Sequence, residues 1–211
     1  MTITTQQIAD LLAAIKTCID TNADDVAELD KAIGDGDHVV NLQRGLAALI
    51  EQQEDLASLD WSAALMKIGM TLMSTMGGAS GSLFGSLFVF MGKAHPDNSA
   101  SLASITTAFA AGVESVKARG KADMGEKTML DTLIPALQSL QQSVAAGEDT
   151  KTSLKAMQQA AEAGMLSTKA MIASKGRASF LGERAIGHID AGARTSQLIL
   201  STIADKLLAL A

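Results

Sequence analysis

The stretch Asp30-Lys31-Ala32-Ile33-Gly34-Asp35-Gly36-Asp37-His38 gathers three carboxylates and an imidazole. Carboxylates this close repel one another unless a cation or solvent relieves them. Asp35 and Asp37 stand two apart, so in an extended segment they point the same way. Asp30, closing a helix, can fold back over Gly34 to join them. Such a set of hard oxygens suits magnesium, which takes a few carboxylates and keeps its other places for water or phosphate. The spacing is not that of an EF-hand, because no bidentate Glu follows where that loop needs one. The scarcity of soft ligands disfavours zinc. A solvated turn with helix caps fits the same residues, so the stretch alone leaves the two readings level. For His38 three roles stand open: a hydrogen bond to phosphate or to metal-bound water, a phosphate-accepting nucleophile, or simply the start of the next helix.

Three further loops carry more Gly and polar residues than a helix connection needs. Gly77-Gly78-Ala79-Ser80-Gly81-Ser82 lets backbone N–H groups approach an anion ahead of an apolar helix, although close helix packing uses the same residues. Gly120-Lys121-Ala122-Asp123-Met124-Gly125-Glu126-Lys127-Thr128 resembles a P-loop superficially. It fails as one, because Glu126 separates Gly125 from Lys127 and no strand precedes it; it reads as a flexible loop leading into a helix. The third runs from Gly176 to Arg194, and loops of that length in compact domains tend to be functional. Its Arg177 and Arg184 are candidate phosphate forks, with structural bridges to Glu183 or Asp190 as the alternative.

The elements that must position these loops are helical. Apolar residues repeat at helical spacing over Thr4–Thr21, Ala23–Ala32 and the segment after His38. The pattern continues over Trp61–Met76, with Asp60 as cap, and over Leu83–Met91. After a surface turn at Gly92–Asn98, it resumes over Leu102–Arg119, Thr128–Val144, Thr152–Ile172 and Arg194–Leu210. Aromatic residues make up only 3%, and Tyr is absent, which argues against sheets. The expectation is an all-α protein, one domain over residues 1–211, of roughly eight helices with the four loops gathered at one end.

Composition excludes several roles. A formal charge of -6 argues against nucleic-acid binding, while a metal can still bring a phosphorylated ligand to an acidic chain. The single Cys18 cannot form an internal disulfide and reads as a small buried hydrophobe. Met1–Gln7 is polar and Asp10 interrupts the apolar residues that follow, so no signal peptide is read and a cytoplasmic location is expected. Ile68–Gly92 lacks charge and is long enough to span a bilayer. Its glycine-rich middle favours a turn between two buried helices, and no membrane span is expected.

Taken together, the segments resemble the nucleotide-binding (L) subunits and domains of dihydroxyacetone kinases. The likeness rests on Leu29-Asp30, Ile33–His38, Asn41, Arg44-Gly45, Gly69–Leu72, Gly77–Gly81 and Leu83–Gly85. It continues through Arg119–Ala122, Gly125, Lys127–Met129, Asp131, Lys175–Ser179, Leu181–Arg184, Ile186–His188, Asp190 and Gly192-Ala193. These occur in family order along nearly the whole chain. Two departures stand out: Val39-Val40 replaces a smaller pair after the family His, and Ser82 stands where Pro is common.

The resemblance implies an antiparallel eight-helix barrel with nucleotide at one end. It implies Asp30, Asp35 and Asp37 as ligands of two magnesium ions on ADP (or ATP). Around the nucleotide it places His38, Val39, Val40, Asn41, Gly78, Ala79, Ser80, Gly81, Gly120, Thr128, Met129, Arg177, Asp190, Ala191 and Gly192. It names no certain catalytic residue on this chain, the substrate-binding His being expected on a partner subunit that holds dihydroxyacetone. Free-standing subunits of this kind imply a phosphocarrier of the phosphotransferase system as donor. An ATP-dependent subunit that exchanges nucleotide, an ADP-bound partner of a transcription factor, and a homodimer all stay open.

Overall fold

High Ala, Leu and Met content with two Pro favours helix. The computed structural model, which describes residues 4–95 and 101–210, is helical with no strand among them. After a 3₁₀ turn at Thr5–Gln7 come α1 (Ile8–Thr21), α2 (Ala23–Ile33), α3 (His38–Glu51), α4 (Gln53–Ala57) and α5 (Trp61–Thr75). Then follow α6 (Gly78–Lys93), α7 (Leu102–Gly120), α8 (Leu130–Ala146), α9 (Thr150–Ser167) and α10 (Ala191–Ala209). Further 3₁₀ turns cover Thr168–Ala170 and Arg177–Ala185 between α9 and α10. The polar start read from Met1 and the turn read through Asn98 fall partly outside the described residues.

The long helices pack in sequence: α1 on α3, α3 on α5, then each on the next through α10, which returns to α1. The contacts close into a ring around one core that includes Leu42, Leu72, Phe84, Leu133 and Leu198. Inside it lies an apolar space of about 250 Å³. One close seam joins α5 and α6. A Cβ on Gly69 would lie 2.5 Å from the Gly85 carbonyl oxygen and 2.6 Å from the Val89 nitrogen. Two backbones this close leave no room for a side chain at that point. The uncharged stretch Ile68–Gly92 is thus two helices reversing at Met76–Gly77. No helix among the described residues is long and apolar enough to cross a membrane.

Several boundaries differ from the sequence pattern. α6 starts at Gly78 rather than Leu83, so most of the expected Gly77–Ser82 loop is helical. Gly77 (φ +71°) and Gly78 (φ +62°) complete the reversal in two residues. Arg44 helps by donating to the Thr75 and Met76 carbonyls. α9 ends at Ser167 rather than Ile172, because the Thr168 hydroxyl donates to the Met165 carbonyl and accepts from the Asp190 N–H, pulling the chain toward α10. α10 begins at Ala191 rather than Arg194, capped by Asp190, which accepts from the Ala193 N–H at 2.8 Å. The short α4 gave no periodic signal. The Asp60 cap is as expected, accepting from the Ala63 N–H. Cys18 is half-buried against the core rather than fully inside it.

Gly69→Ala tests the α5–α6 seam. Overpacking there is expected to cost about 1–3 kcal/mol and lower Tm by about 4–10 °C, read by thermal melting followed by circular dichroism. An unchanged Tm would mean that the two helices can separate without cost.

Candidate functional site

Asp30 occupies the last turn of α2, and Asp35 and Asp37 follow in the loop to α3. One carboxylate oxygen from each lies within 4.8 Å of the others, with Asp30 buried and the other two exposed. Gly34 makes this convergence feasible: a Cβ there would sit 2.0 Å from Asp30 Oδ1. The other Asp30 oxygen accepts from the His38 N–H at 3.0 Å, joining the carboxylate to the start of α3. Hard oxygen donors packed this closely fit a divalent cation. Arg177 brings a positive charge to the group, its guanidinium 2.7 Å from Asp35. That pairing replaces the bridges to Glu183 or Asp190 weighed from the sequence.

His38 is fixed on its other side by α10. Its Nε2 lies 2.9 Å from Thr195 Oγ1. The Thr195 hydroxyl has carbonyl acceptors of its own at Ala191 and Gly192, 3.1 and 3.2 Å away, so it donates to them and accepts from His38 Nε2–H. Burial pushes the imidazole below its ordinary pKa, against the pull of Asp30, Asp37 and Asp35. Burial thus favours the neutral ring, and with Nε2–H on Thr195 its Nδ1 is left as an acceptor. An acceptor suits a metal-bound water or a hydroxyl and cannot donate to a phosphate.

The 121–129 segment, expected to be flexible, is braced throughout. Asp131 accepts from the Gly125 and Thr128 N–H groups. Glu126 accepts from the Asp123 N–H and the Ser174 hydroxyl, and these bonds hold its carboxyl below the usual range. Lys127 is fully buried, and its ammonium donates to the Thr168 and His188 carbonyls. The flexible-loop reading does not anticipate this, and only the fold reveals Lys127 as interior.

These pieces line one cleft of about 440 Å³, within the usual range for small-molecule sites. It takes Asp30, Gly34 and His38 from one side, and Ala79, Ser80, Gly120, Thr128, Met129, Arg177, Asp190, Ala191 and Gly192 from the others. The starts of α3, α6, α8 and α10 all contribute, and each brings a partial positive charge, although the first-turn N–H groups of α8 are already taken by Thr128 and Met129. Asp35 and Asp37 stand beside the cleft with Asp30. Val39 packs in the core, Val40 is exposed, and Gly81 packs against Met76; none of these three lines the cleft. Asn41 and Gly78 are also outside the lining and lie against each other, a Cβ on Gly78 lying 3.7 Å from Asn41 Nδ2. Arg184 is exposed and away from the lining. The sequence reading missed the apolar wall of Leu83, Phe84, Val116, Ala122 and Leu130, because core and cleft residues share one helical periodicity.

Asp190 keeps some surface toward the cleft, yet protein atoms crowd its carboxyl. Burial pushes its pKa up to about 6; the Ala193 N–H opposes this and Asp131 adds to it. An acid whose pKa rises on folding stabilises the fold at low pH and loses that contribution as pH climbs from about 4 to about 6. In protein stripped of metal and nucleotide, wild-type stability relative to Asp190→Asn is expected to fall by about 3 kcal/mol across that window. Urea titrations at several pH values check this, and a flat difference would show that the carboxyl titrates normally.

Residues 32–205 match the family model of the DAK2 domain. The chain is 38% identical over 205 residues to the ADP-binding subunit DhaL of the PEP-dependent dihydroxyacetone kinase of Escherichia coli K12, covering 97% of this chain and 98% of that protein. It is 40% identical over 180 residues to the ADP-binding subunit DhaL of the PTS-dependent dihydroxyacetone kinase of Lactococcus lactis, covering 84% and 85% respectively. The fold superposes with a TM-score of 0.74 on the dihydroxyacetone kinase from C. freundii, solved with AMP-PNP and Mg2+, at 24% identity. That match covers 98% of this chain but 35% of the larger kinase chain. With the family model spanning most of its length, the chain belongs to the DAK2 domain family.

Proposed function

We propose that this chain is the ADP-binding subunit of a phosphoenolpyruvate-dependent dihydroxyacetone kinase. Its bound nucleotide would receive phosphate from a phosphocarrier of the phosphotransferase system and pass it to dihydroxyacetone on a partner subunit. The observation that carries the reading is the convergence of Asp30, Asp35 and Asp37 beside a cleft that has both an apolar wall and four helix starts. An adenine nucleotide needs all three: a dry surface for its base, N–H groups for its phosphates, and carboxylates for the accompanying cations.

The residues divide the work by chemistry. Leu83, Phe84, Val116 and Met129 offer the base an apolar face. Ala79 and Ser80, in the first turn of α6, offer backbone N–H groups to phosphate oxygens. Asp30, Asp35 and Asp37 would hold two magnesium ions. When bound, magnesium neutralises the phosphate charge, which is the main demand of phosphoryl transfer. His38, its neutral form favoured by burial and its ring fixed by Thr195, accepts from a water or hydroxyl beside the acidic group. Arg177 sits on Asp35 and is within the same cleft, so its fork can exchange a carboxylate for a phosphate.

Denaturing freshly purified protein and identifying what is released by chromatography and mass should give stoichiometric ADP with magnesium. An empty site that takes ATP reversibly would point instead to nucleotide exchange at each turnover. In Asp35→Asn, affinity for Mg·ADP is expected to fall at least ~100-fold, or about 3 kcal/mol. Tight ADP retained in that variant would overturn the acidic clamp.

A further inference from the structure

Lys127 is the largest fully buried side chain among the described residues, 1% exposed, and no role in the proposed chemistry has yet been given to it. Its backbone is left-handed at φ +61°, a conformation that side-chain-bearing residues adopt at a cost of about 1–3 kcal/mol. Taking an ammonium out of water costs several kcal/mol more unless donors and charge are matched. A site that needed only packing would be served by Leu or Met. Both costs are met here by specific partners.

The ammonium donates to two main-chain carbonyls, that of Thr168, which also accepts from the Met171 N–H, and that of His188. These lie at opposite ends of the connection between α9 and α10, and that connection is further joined by Gly187 N–H to the Lys169 carbonyl at 2.7 Å. Thr168 also accepts from the Asp190 N–H through its hydroxyl. Asp190 in turn caps α10, whose first residues Ala191 and Gly192 form one wall of the cleft. On the other side of Lys127, Thr128 and Met129 form the adjoining wall, which abuts the first: a Cβ on Gly192 would lie 3.5 Å from Met129 Cβ. One side chain therefore ties both walls to the same point, while Asp131 and Asp190 supply the charge that keeps a buried ammonium tolerable.

We propose that Lys127 is a positioning residue for the nucleotide, its ammonium fixing the spacing between the Thr128–Met129 wall and the Asp190–Gly192 wall through the carbonyls of Thr168 and His188. This rests on the reading of the cleft as a nucleotide site. The side chain contributes no reacting atom. Its removal widens the cleft while the helical ring persists.

The test compares the full-length wild type with Lys127→Met, which keeps the length and loses the donors, and Lys127→Gln, which keeps donors on a shorter reach. Mg·ADP binding is measured by calorimetry below the melting point of each, beside far-UV circular dichroism and amide hydrogen exchange over residues 186–192. Lys127→Met is expected to retain helix content, to weaken Mg·ADP binding by about 30-fold or more, and to exchange faster over 186–192, with Lys127→Gln between it and wild type. A Lys127→Met protein that melts earlier yet binds Mg·ADP within threefold of wild type would reduce Lys127 to a structural pin and overturn the proposal. Should Lys127→Met fail to fold, Lys127→Gln carries the same comparison, and wild-type affinity there overturns it equally. A wild type that takes no Mg·ADP would instead sink the nucleotide reading, leaving the exchange data to decide whether the pin exists.

Discussion

Like charges crowded into one place constrain this protein more than any single contact. Asp30, Asp35, Asp37, Asp131 and Asp190 all belong to one end of a helical ring. Carboxylates so close must be relieved by N–H donors, by cations, or by giving up their charge. The chain uses each means at a different residue. Asp131 takes the N–H groups of Gly125 and Thr128. Asp30 takes that of His38, and Asp35 takes the Arg177 guanidinium. Asp190 has its pKa pushed up to about 6, so it is readily neutralised.

The ring supplies the rest of the relief through its topology. Consecutive long helices joined by short connections alternate in direction, so alternate helices begin at the same end. α3, α6, α8 and α10 all contribute their first residues to the cleft. Each start carries about half a positive charge. In the proposed role the carboxylates would bring in cations, and the helix starts would attract the anion that those cations accompany. The glycines make this feasible at the closest points: Gly34 admits the Asp30 carboxylate, and Gly77 with Gly78 turns the chain into α6 within two residues.

The helical class was legible in the apolar periodicity and the acidic motif in its short-range spacing, whereas the nucleotide-side residues were named through the family resemblance. What the sequence hid depends on contacts distant along the chain. Thr195 stands 157 residues from His38 and determines which imidazole nitrogen is free. Thr168 ends α9 by bonding to Asp190, 22 residues on, so the apolar pattern alone ran the helix past its end. Lys127 lies in a stretch read as a flexible loop, and its burial needs carbonyls distant along the chain, at Thr168 and His188. Val39 and Val40 are a different case. The resemblance placed them around the nucleotide, while the helical turn sends one into the core and the other to solvent.

A fold that concentrates repulsion at one end stores a preference for its ligand. Removing metal and nucleotide leaves Arg177 as the cation on Asp35, and that pair is largely exposed, so its worth is small. Cations bound by the folded site and not by the unfolded chain add stability in proportion to the logarithm of their saturation. Relief of the acidic cluster therefore couples occupancy to stability. The same coupling disfavours release, because dissociation restores the repulsion without a comparable gain elsewhere. Slow loss of a nucleotide would suit the proposed role, in which the nucleotide is charged and discharged in place, and the charge arrangement favours it.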